Sequence, residues 1–242
     1  MHSAGNCGTS TKTALADVLT KGSLMDSSVC SYCVMDTSDK DIVFDSNDRC
    51  AHCRGYEAFL RDIAEKETYS KARLDKLLQE IRDSGKGKPY DSILGVSGGI
   101  DSSYLALKAK EWGLRPLLVH IDNAYNAKTA EQNIANLVAA TGFKLHTLHV
   151  SMDDFLDMQR AYFKAGVVDI EVLTDHALVA ELSALAKKYG LRHVLSGYNH
   201  STEHILPTSW YYTKSDAKNI RAITKKFGTR KHTSYAFYGM WQ

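Results

Sequence analysis

The stretch DSILGVSGGIDSSYLALKAKEWG, Asp91 to Gly113, limits the fold of this chain more than any other. A short apolar run, Ser92 to Val96, is cut by two glycines and an aspartate. Apolar residues then resume at helical spacing, which reads as strand, tight turn and helix. From Tyr90 onward the alternation recurs. Further strands are predicted at Pro116 to Ile121, Lys144 to Val150 and His193 to Ser196, with intervening helices starting near Asp101, Lys128 and Asp175. This implies an α/β fold: a doubly wound parallel sheet with right-handed crossovers and helices on both faces. Such sheets bind ligands outside the carboxyl ends of their strands, and SGGIDSS follows the end of the first.

The chain has 242 residues, 44% of them hydrophobic, enough for one core domain of about 150 to 200 residues with a small appendage. Lys and Arg number 30 against 28 for Asp and Glu, a formal charge of +2 that is too small to argue for a nucleic-acid partner. The first residues are polar without an apolar signal region, and no run approaches the roughly 18 apolar residues of a membrane span. The expected setting is therefore the cytoplasm, without a membrane partner. The expected organisation is a flexible leader over 1–25, a zinc-knuckle segment with helices over 26–85 and the α/β domain over 86–242.

Four of the five cysteines form CSYC and CAHC, with 16 residues between Cys33 and Cys50. Cys30, Cys33, Cys50 and Cys53 thus have the spacing of a zinc site in which two tight turns each present a pair of thiolates. A closed four-sulfur shell leaves no position for substrate, so its expected role is to staple a segment too short to hold a core alone. Two disulfides or unliganded thiols are the alternatives, and His52 is read as a bystander. Between the knuckles Ile42, Val43 and Phe44 suggest a short strand. After Cys53, spacing of three and four from Gly55 to Arg82 predicts two helices that break near Thr68 to Ser70.

Within SGGIDSS, Gly98 and Gly99 allow a sharp turn and close approach to a ligand, and the free N–H groups of the following helix favour an anion. Ser97 and Ser102 add hydroxyl donors. The spacing is not that of the GxxxxGK[ST] loop. Asp101 would repel phosphate unless a cation intervenes, so it suggests either Mg²⁺ or a simple helix cap.

These residues resemble the SGGxDS loop of the ATP-pyrophosphatase (PP-loop) superfamily, of adenine-nucleotide alpha-hydrolase type, whose members cut ATP between the α- and β-phosphates. The resemblance implies adenosine contacts from His120, Asp122 and their neighbours. It also implies a pocket-closing turn in SGYNHSTE, with Gly197, Asn199 and Glu203. Read alone, His120 is also an ordinary half-buried histidine, and Asn199 and Glu203 are equally capping residues. The knuckle sequence, the loop and TDHALVAELSALAKKYGLRHVLSGYNHSTEHILPTSW together resemble the N-acetyl sugar amidotransferases.

That resemblance implies ATP, Mg²⁺ and structural Zn²⁺ as cofactors and an N-acetylated, nucleotide-linked sugar as substrate, in surface-polysaccharide or nonulosonate synthesis. Its acetamido oxygen would be adenylated and then displaced by ammonia. Asp101 would be the metal-linked catalytic carboxylate, with Ser97 beside it, and Ser97, Gly98, Gly99 and Ser102 the phosphate cradle. A separate glutaminase with a synthase-like subunit would supply the ammonia, because Cys7 is the one cysteine left over and has no glutaminase context. Members of that family continue past the final YGMWQ, so the segment completing the sugar pocket is expected to be short here. The competing readings are a tRNA-modifying ATP pyrophosphatase and a zinc-ribbon scaffold with a vestigial nucleotide fold.

Three stretches stay open. KNIRAITKKFGTRKHTSY carries Lys218, Arg221, Lys225, Lys226, Arg230, Lys231 and His232, which would hold a diphosphate or carboxylate, or form a solvated helix face. Residues 152–166 have helical spacing and read as core or partner surface. Trp210, Tyr211 and Tyr212 read as a buried aromatic cluster or a stacking platform.

Overall fold

The computed structural model describes residues 28–66, 70–123, 125–167, 169–199, 203 and 213–238. The expected leader with Cys7, and Trp210, Tyr211 and Tyr212, fall outside them. Two compact units divide between Glu57 and Ala58.

The first unit holds the four cysteines. Its core is small: Cys30, Met35, Cys50 and Cys53, with Cys33, Ile42 and Phe44 packed on them. The strand expected at Ile42 to Phe44 is reduced to one antiparallel bridge between Phe44 and Cys50, with a second between Val29 and Asp36. A strand needs a partner of similar length, and here turns held by Asp36, Asp39 and Asp45 side chains take up the intervening chain. Helix α1 (Ala51–Glu65) begins inside CAHC, four residues before the expected start at Gly55, so the second cysteine pair spans a helix start.

In the second unit, α2 (Lys71–Ser84) begins where Ser70 caps it, the Ser70 hydroxyl accepting from the N–H of Arg73 at 3.3 Å. Leu78 and Ile81 of this helix pack against Ala109 and Leu114. The α/β layers follow in the expected order: β1 (Ser92–Gly95), α3 (Ile100–Glu111), β2 (Pro116–Asp122), α4 (Lys128–Thr141), β3 (Leu145–His149), α5 (Met152–Ala165), α6 (Val172–Tyr189) and β4 (Val194–Leu195). Helix α7 (Ala217–Phe227) comes after them.

All three strand pairings are parallel, in the order β3-β2-β1-β4. The two central strands, SILG and PLLVHID, are buried on both faces, as a sheet covered by helices on both sides requires. Leu94, Val96 and Leu118 face Ala106 of α3 and Leu137 of α4. Ile93, Leu117 and Val119 face Leu178, Leu182 and Leu185 of α6 on the opposite side. The strand order therefore reverses beside β1, and the carboxyl ends of β1 and β4 diverge into a crevice there. The expected 152–166 stretch is core: Phe155, Met158 and Tyr162 of α5 pack with Leu173 of α6 and Ile220 of α7. Full burial of Phe155 and of Met158 stabilises the fold by about 1.5–3 kcal/mol each.

Candidate functional site

In the first unit the Sγ atoms of Cys30, Cys33, Cys50 and Cys53 all lie within 4.8 Å of one another. Three separations are 3.9 Å for Cys30–Cys53, 3.7 Å for Cys33–Cys50 and 3.6 Å for Cys50–Cys53. A tetrahedron with Zn–S bonds of about 2.3 Å has edges of about 3.8 Å. All four are free cysteines, so the disulfide alternative falls. Burial works against charge on Cys30, but N–H groups of Cys50, Tyr32 and Cys33 outweigh it and lower its thiol to about 6. Burial and the neighbouring sulfurs push Cys53 up well beyond an ordinary thiol, and burial also raises Cys33. One divalent cation is what allows four crowded thiolates to coexist. The cluster fits a tetrathiolate zinc site. His52 stands apart from the sulfurs, bonded through Nε2 to buried Asp39 at 2.7 Å, in keeping with a bystander that braces the turn.

In the second unit, Ser97 to Ser102 connect β1 to α3. Gly98 sits at φ +78, and a Cβ there would lie 2.5 Å from the carbonyl oxygen of Ala130 at the start of α4. Only glycine suits both the dihedral and the space. Asn133 of α4 fixes the turn from the side, its amide donating to the Gly98 carbonyl at 2.9 Å. Gly99 is the N-cap of α3 and has no side chain to satisfy the first turn, so the N–H groups there lack intrahelical acceptors. Asp101 lies inside the first turn, which excludes the simple-cap alternative. The Ser97 and Ser102 hydroxyls make only long contacts, 3.3 to 3.5 Å, with each other and the loop backbone. The result is a helix start whose first N–H groups lack intrahelical acceptors, an arrangement that favours an anion, with Asp101 in the same first turn.

The turn after β4 closes on this loop. A Cβ on Gly197 would come within 3.1 Å of the Ser102 nitrogen and 3.3 Å of the Asp101 carbonyl carbon, so the two backbones touch. Asn199 and Glu203 form a turn of their own: the Glu203 carboxylate accepts from the N–H of Asn199 at 3.1 Å, and Glu203 N donates to the Asn199 carbonyl at 2.9 Å. That geometry is the capping alternative for the pair. His120 is 8% exposed, and both its ring nitrogens are engaged. Nδ1 faces the Val96 carbonyl at 3.0 Å and so carries the proton; Nε2 accepts from the Asn126 amide at 3.1 Å. The same amide reaches Asp122 at 3.3 Å, and Asp122 pairs with His149 at 3.0 Å.

A cleft of about 590 Å³ opens between these strand ends and α6, a volume within the range of small-ligand sites. Of the residues singled out in the sequence, Ser97, His120 and Gly197 line it. Asn123, at the end of the stretch expected to hold adenosine, lines it too, as do Asn126, Thr174 and Asp175, to which the sequence assigned no ligand contact. The two asparagines were visible as polar residues straight after a strand end. Thr174 and Asp175 stand in the quoted TDHAL segment but reach the cleft only because α6 packs under β1. Asn123 donates to Thr174 Oγ1 at 3.3 Å, joining the two walls. Asp175 pairs with Lys214; burial opposes the ammonium charge, but Asp175 with Asp169 and Glu171 outweighs it and raises the Lys214 pKa.

No family model matches the chain. An uncharacterized protein of Methanocaldococcus jannaschii is 28% identical over 172 residues, covering 70% of this chain. The chain spans 58% of that relative's length. Among solved structures, NMN synthetase from Francisella tularensis is 17% identical, with 65% of this chain and 71% of that one covered at a TM-score of 0.42. The NH3-dependent NAD synthetase from Campylobacter jejuni is 18% identical, with 62% and 70% covered and a TM-score of 0.43. The glutamine-dependent NAD+ synthetase from Acinetobacter baumannii is 27% identical, with 52% and 25% covered and a TM-score of 0.42. At TM-scores below 0.5 these likenesses decide neither the fold nor the substrate of this chain.

Proposed function

We propose that the second unit is an AMP-forming ATP pyrophosphatase that activates an amide oxygen, acting as an amidotransferase on an N-acetylated sugar. The observation that carries the nucleotide half is the loop at β1: Gly98 held at positive φ, bare N–H groups opening α3, and the loop's place where the strand order reverses. The sugar half rests on the resemblance of the knuckle and the TDHAL to TSW segment to the amidotransferases.

The donors present suit a hard cation. Asp101, Ser97 and Ser102 offer oxygen ligands, and Mg²⁺ bound there with ATP would offset charge on the departing pyrophosphate. Ser97, Gly98, Gly99 and Ser102 cradle the phosphates through hydroxyl and backbone donors. In the reaction, the acetamido oxygen attacks the α-phosphorus and the bond to the β-phosphate bridging oxygen breaks, releasing pyrophosphate. Ammonia then adds to the imidate carbon, AMP leaves with the former amide oxygen, and a lost proton leaves the acetamidine. Adenylation is the reason for spending ATP, since an amide carbon has no adequate leaving group until one is attached. The ammonia comes from a separate glutaminase and synthase-like partner, so ammonium at raised pH supports turnover and glutamine alone does not.

The test is an assay for AMP and pyrophosphate with Mg²⁺-ATP and ammonium, offering nucleotide-linked acetamido sugars or bulk tRNA, with products weighed by mass spectrometry. A sugar lighter by the difference between O and NH is the expected product. AMP formed only with tRNA would replace this reading by the RNA-modifying one, and no AMP with any acceptor would leave a scaffold. Asp101→Ala is expected to abolish AMP formation in a folded protein.

A further inference from the structure

The basic stretch near the end of the described chain forms a second concave site, distinct from the cleft at β1. Arg221 and Lys225, one turn apart on α7, form one wall; the loop Gly228–His232 with Arg230 and Lys231 forms the other. Phe237 closes one side, the volume is about 560 Å³, and no carboxylate lines it among the described residues. Lys218 and Lys226 of the same helix stay outside, so the groove selects among the cations of α7.

The groove is built from beneath. Two buried aspartates of α5 hold the loop: Asp157 accepts from Thr229 N at 2.9 Å and Thr229 Oγ1 at 2.6 Å and pairs with His232 at 2.8 Å. Asp154 accepts from Ser234 N at 3.0 Å and Ser234 Oγ at 2.7 Å and meets Arg230 at 3.3 Å. Asp153 also takes Arg230 at 3.0 Å. These acids neutralise Arg230 and orient His232 while leaving Arg221, Lys225 and Lys231 without a carboxylate within ion-pair distance among the described residues. The Arg221 guanidinium lies over the Phe237 ring at 3.9 Å, which fixes its plane and leaves its edge N–H donors for an anion. The backbone N–H of Ser151, two residues past β3, donates to Ser234 Oγ at 3.1 Å, so the groove is tied to the carboxyl end of the sheet.

We propose that this groove is a second anion site that takes an organic diphosphate, the phosphates against Arg221, Lys225 and Lys231 and the organic part beside Phe237. A planar guanidinium and an ammonium group on α7, with a second ammonium group on a fixed loop, match more than one phosphate charge, and the volume exceeds what an inorganic ion fills. The assignment is independent of ATP binding at the β1 loop.

The test is calorimetric titration of the full chain with UDP and with inorganic pyrophosphate, for the natural sequence, the double variant Lys225→Gln/Lys231→Gln and the loop variant Gly98→Ala. Both lysines are exposed, so an unchanged melting temperature would verify the fold of the double variant. UDP affinity is expected to fall about tenfold in the double variant and to be unaltered in Gly98→Ala. Pyrophosphate is expected to lose one of its sites in each variant. UDP binding indifferent to the two lysines overturns the proposal. So does a short single-stranded RNA that binds through the same lysines more tightly than UDP, which would make the groove a nucleic-acid surface. Failure of ATP to bind, with UDP binding intact, would remove the function proposed for the β1 loop and leave the groove standing.

Discussion

The cysteine knuckle and the SGG loop are both tight turns leading into a helix, α1 in one case and α3 in the other, but they use their donors in opposite ways. In the knuckle four sulfurs lie within 4.8 Å of one another, three of their separations being 3.6 to 3.9 Å, and backbone N–H groups point at Cys30 from Cys50 and Tyr32. Nothing is left over for a substrate. In the loop the hydroxyls make only long contacts, and the helix start has no side-chain cap. A shell that satisfies itself serves folding; one that leaves donors open and is braced from outside serves a ligand.

The largest effect expected from this contrast is that of Cys50→Ser. Structural zinc in small domains contributes on the order of 10 kcal/mol to their folding, and the first unit has little other core. Zinc content should fall to background and hydrogen exchange across residues 28–57 should rise to the unprotected rate. ATP binding by the second unit should survive. Full protection of the knuckle backbone in the metal-free variant would show that its turns hold without the shell.

Gly98→Ala comes next and acts on function first. A side chain there meets the Ala130 backbone at 2.5 Å and is strained at φ +78, so the turn must move at a cost of about 1–3 kcal/mol. The loss falls on the geometry of the cradle, and ATP affinity should drop about 100-fold with a modest fall in melting temperature. Equal ATP affinity in the variant would mean that the nucleotide sits elsewhere.

A third region tests whether self-satisfied polar clusters are structural throughout. Asp157 is 5% exposed; burial alone would push its carboxyl up, but the bonds from Thr229 and the contact with His232 hold it well below the usual carboxylate range. A group depressed on folding binds fewer protons in the native state. Its stabilisation is therefore fully present above the unfolded value of about 3.9 and is lost as pH falls from there toward the folded value. Asp157→Asn should destabilise the second unit by about 1–3 kcal/mol at neutral pH, and the gap should narrow below about pH 4. His232 pairs with it, and the backbone N–H of Arg230 also bonds to it. Urea unfolding across that pH range reads both quantities; a gap independent of pH would assign the effect to shape alone.

The strands and the loop were legible because their signals are local. Ser92 to Val96 and Pro116 to Ile121 are short apolar runs, and a glycine pair between a strand and a helix marks a tight turn whatever the rest of the chain does. The strand at Ile42 to Phe44 failed because three apolar residues say nothing about a partner, and the partner here offers one bridge. The clamp of Asp154 and Asp157 on residues 229–234 joins positions 72 to 80 apart, and two aspartates on a helix look like surface charge until Ser234 and Thr229 arrive. His120 shows the same limit: its place near the carboxyl end of β2 was readable, but its Val96 and Asn126 partners depend on strand register.

The smallest effect is expected from Ser97→Ala, and it sharpens the comparison most finely. The Ser97 hydroxyl accepts from the Gly99 N–H at 3.3 Å and contacts Ser102 at 3.5 Å, bonds too long to hold the turn, which Gly98 and Asn133 already define. Stability should change by less than about 1 kcal/mol. If the hydroxyl is an open donor to phosphate, AMP formation should fall about five- to tenfold, the loss of one hydrogen bond of roughly 1 kcal/mol or slightly more. The division between kcat and KM then locates the contact. A fall in kcat alone places the hydroxyl on charge that develops as pyrophosphate leaves, and a rise in KM alone places it on phosphate held equally in ground and transition states. No change in either, with stability lowered, would make Ser97 a turn-former like the knuckle residues and move it from the open class to the closed one.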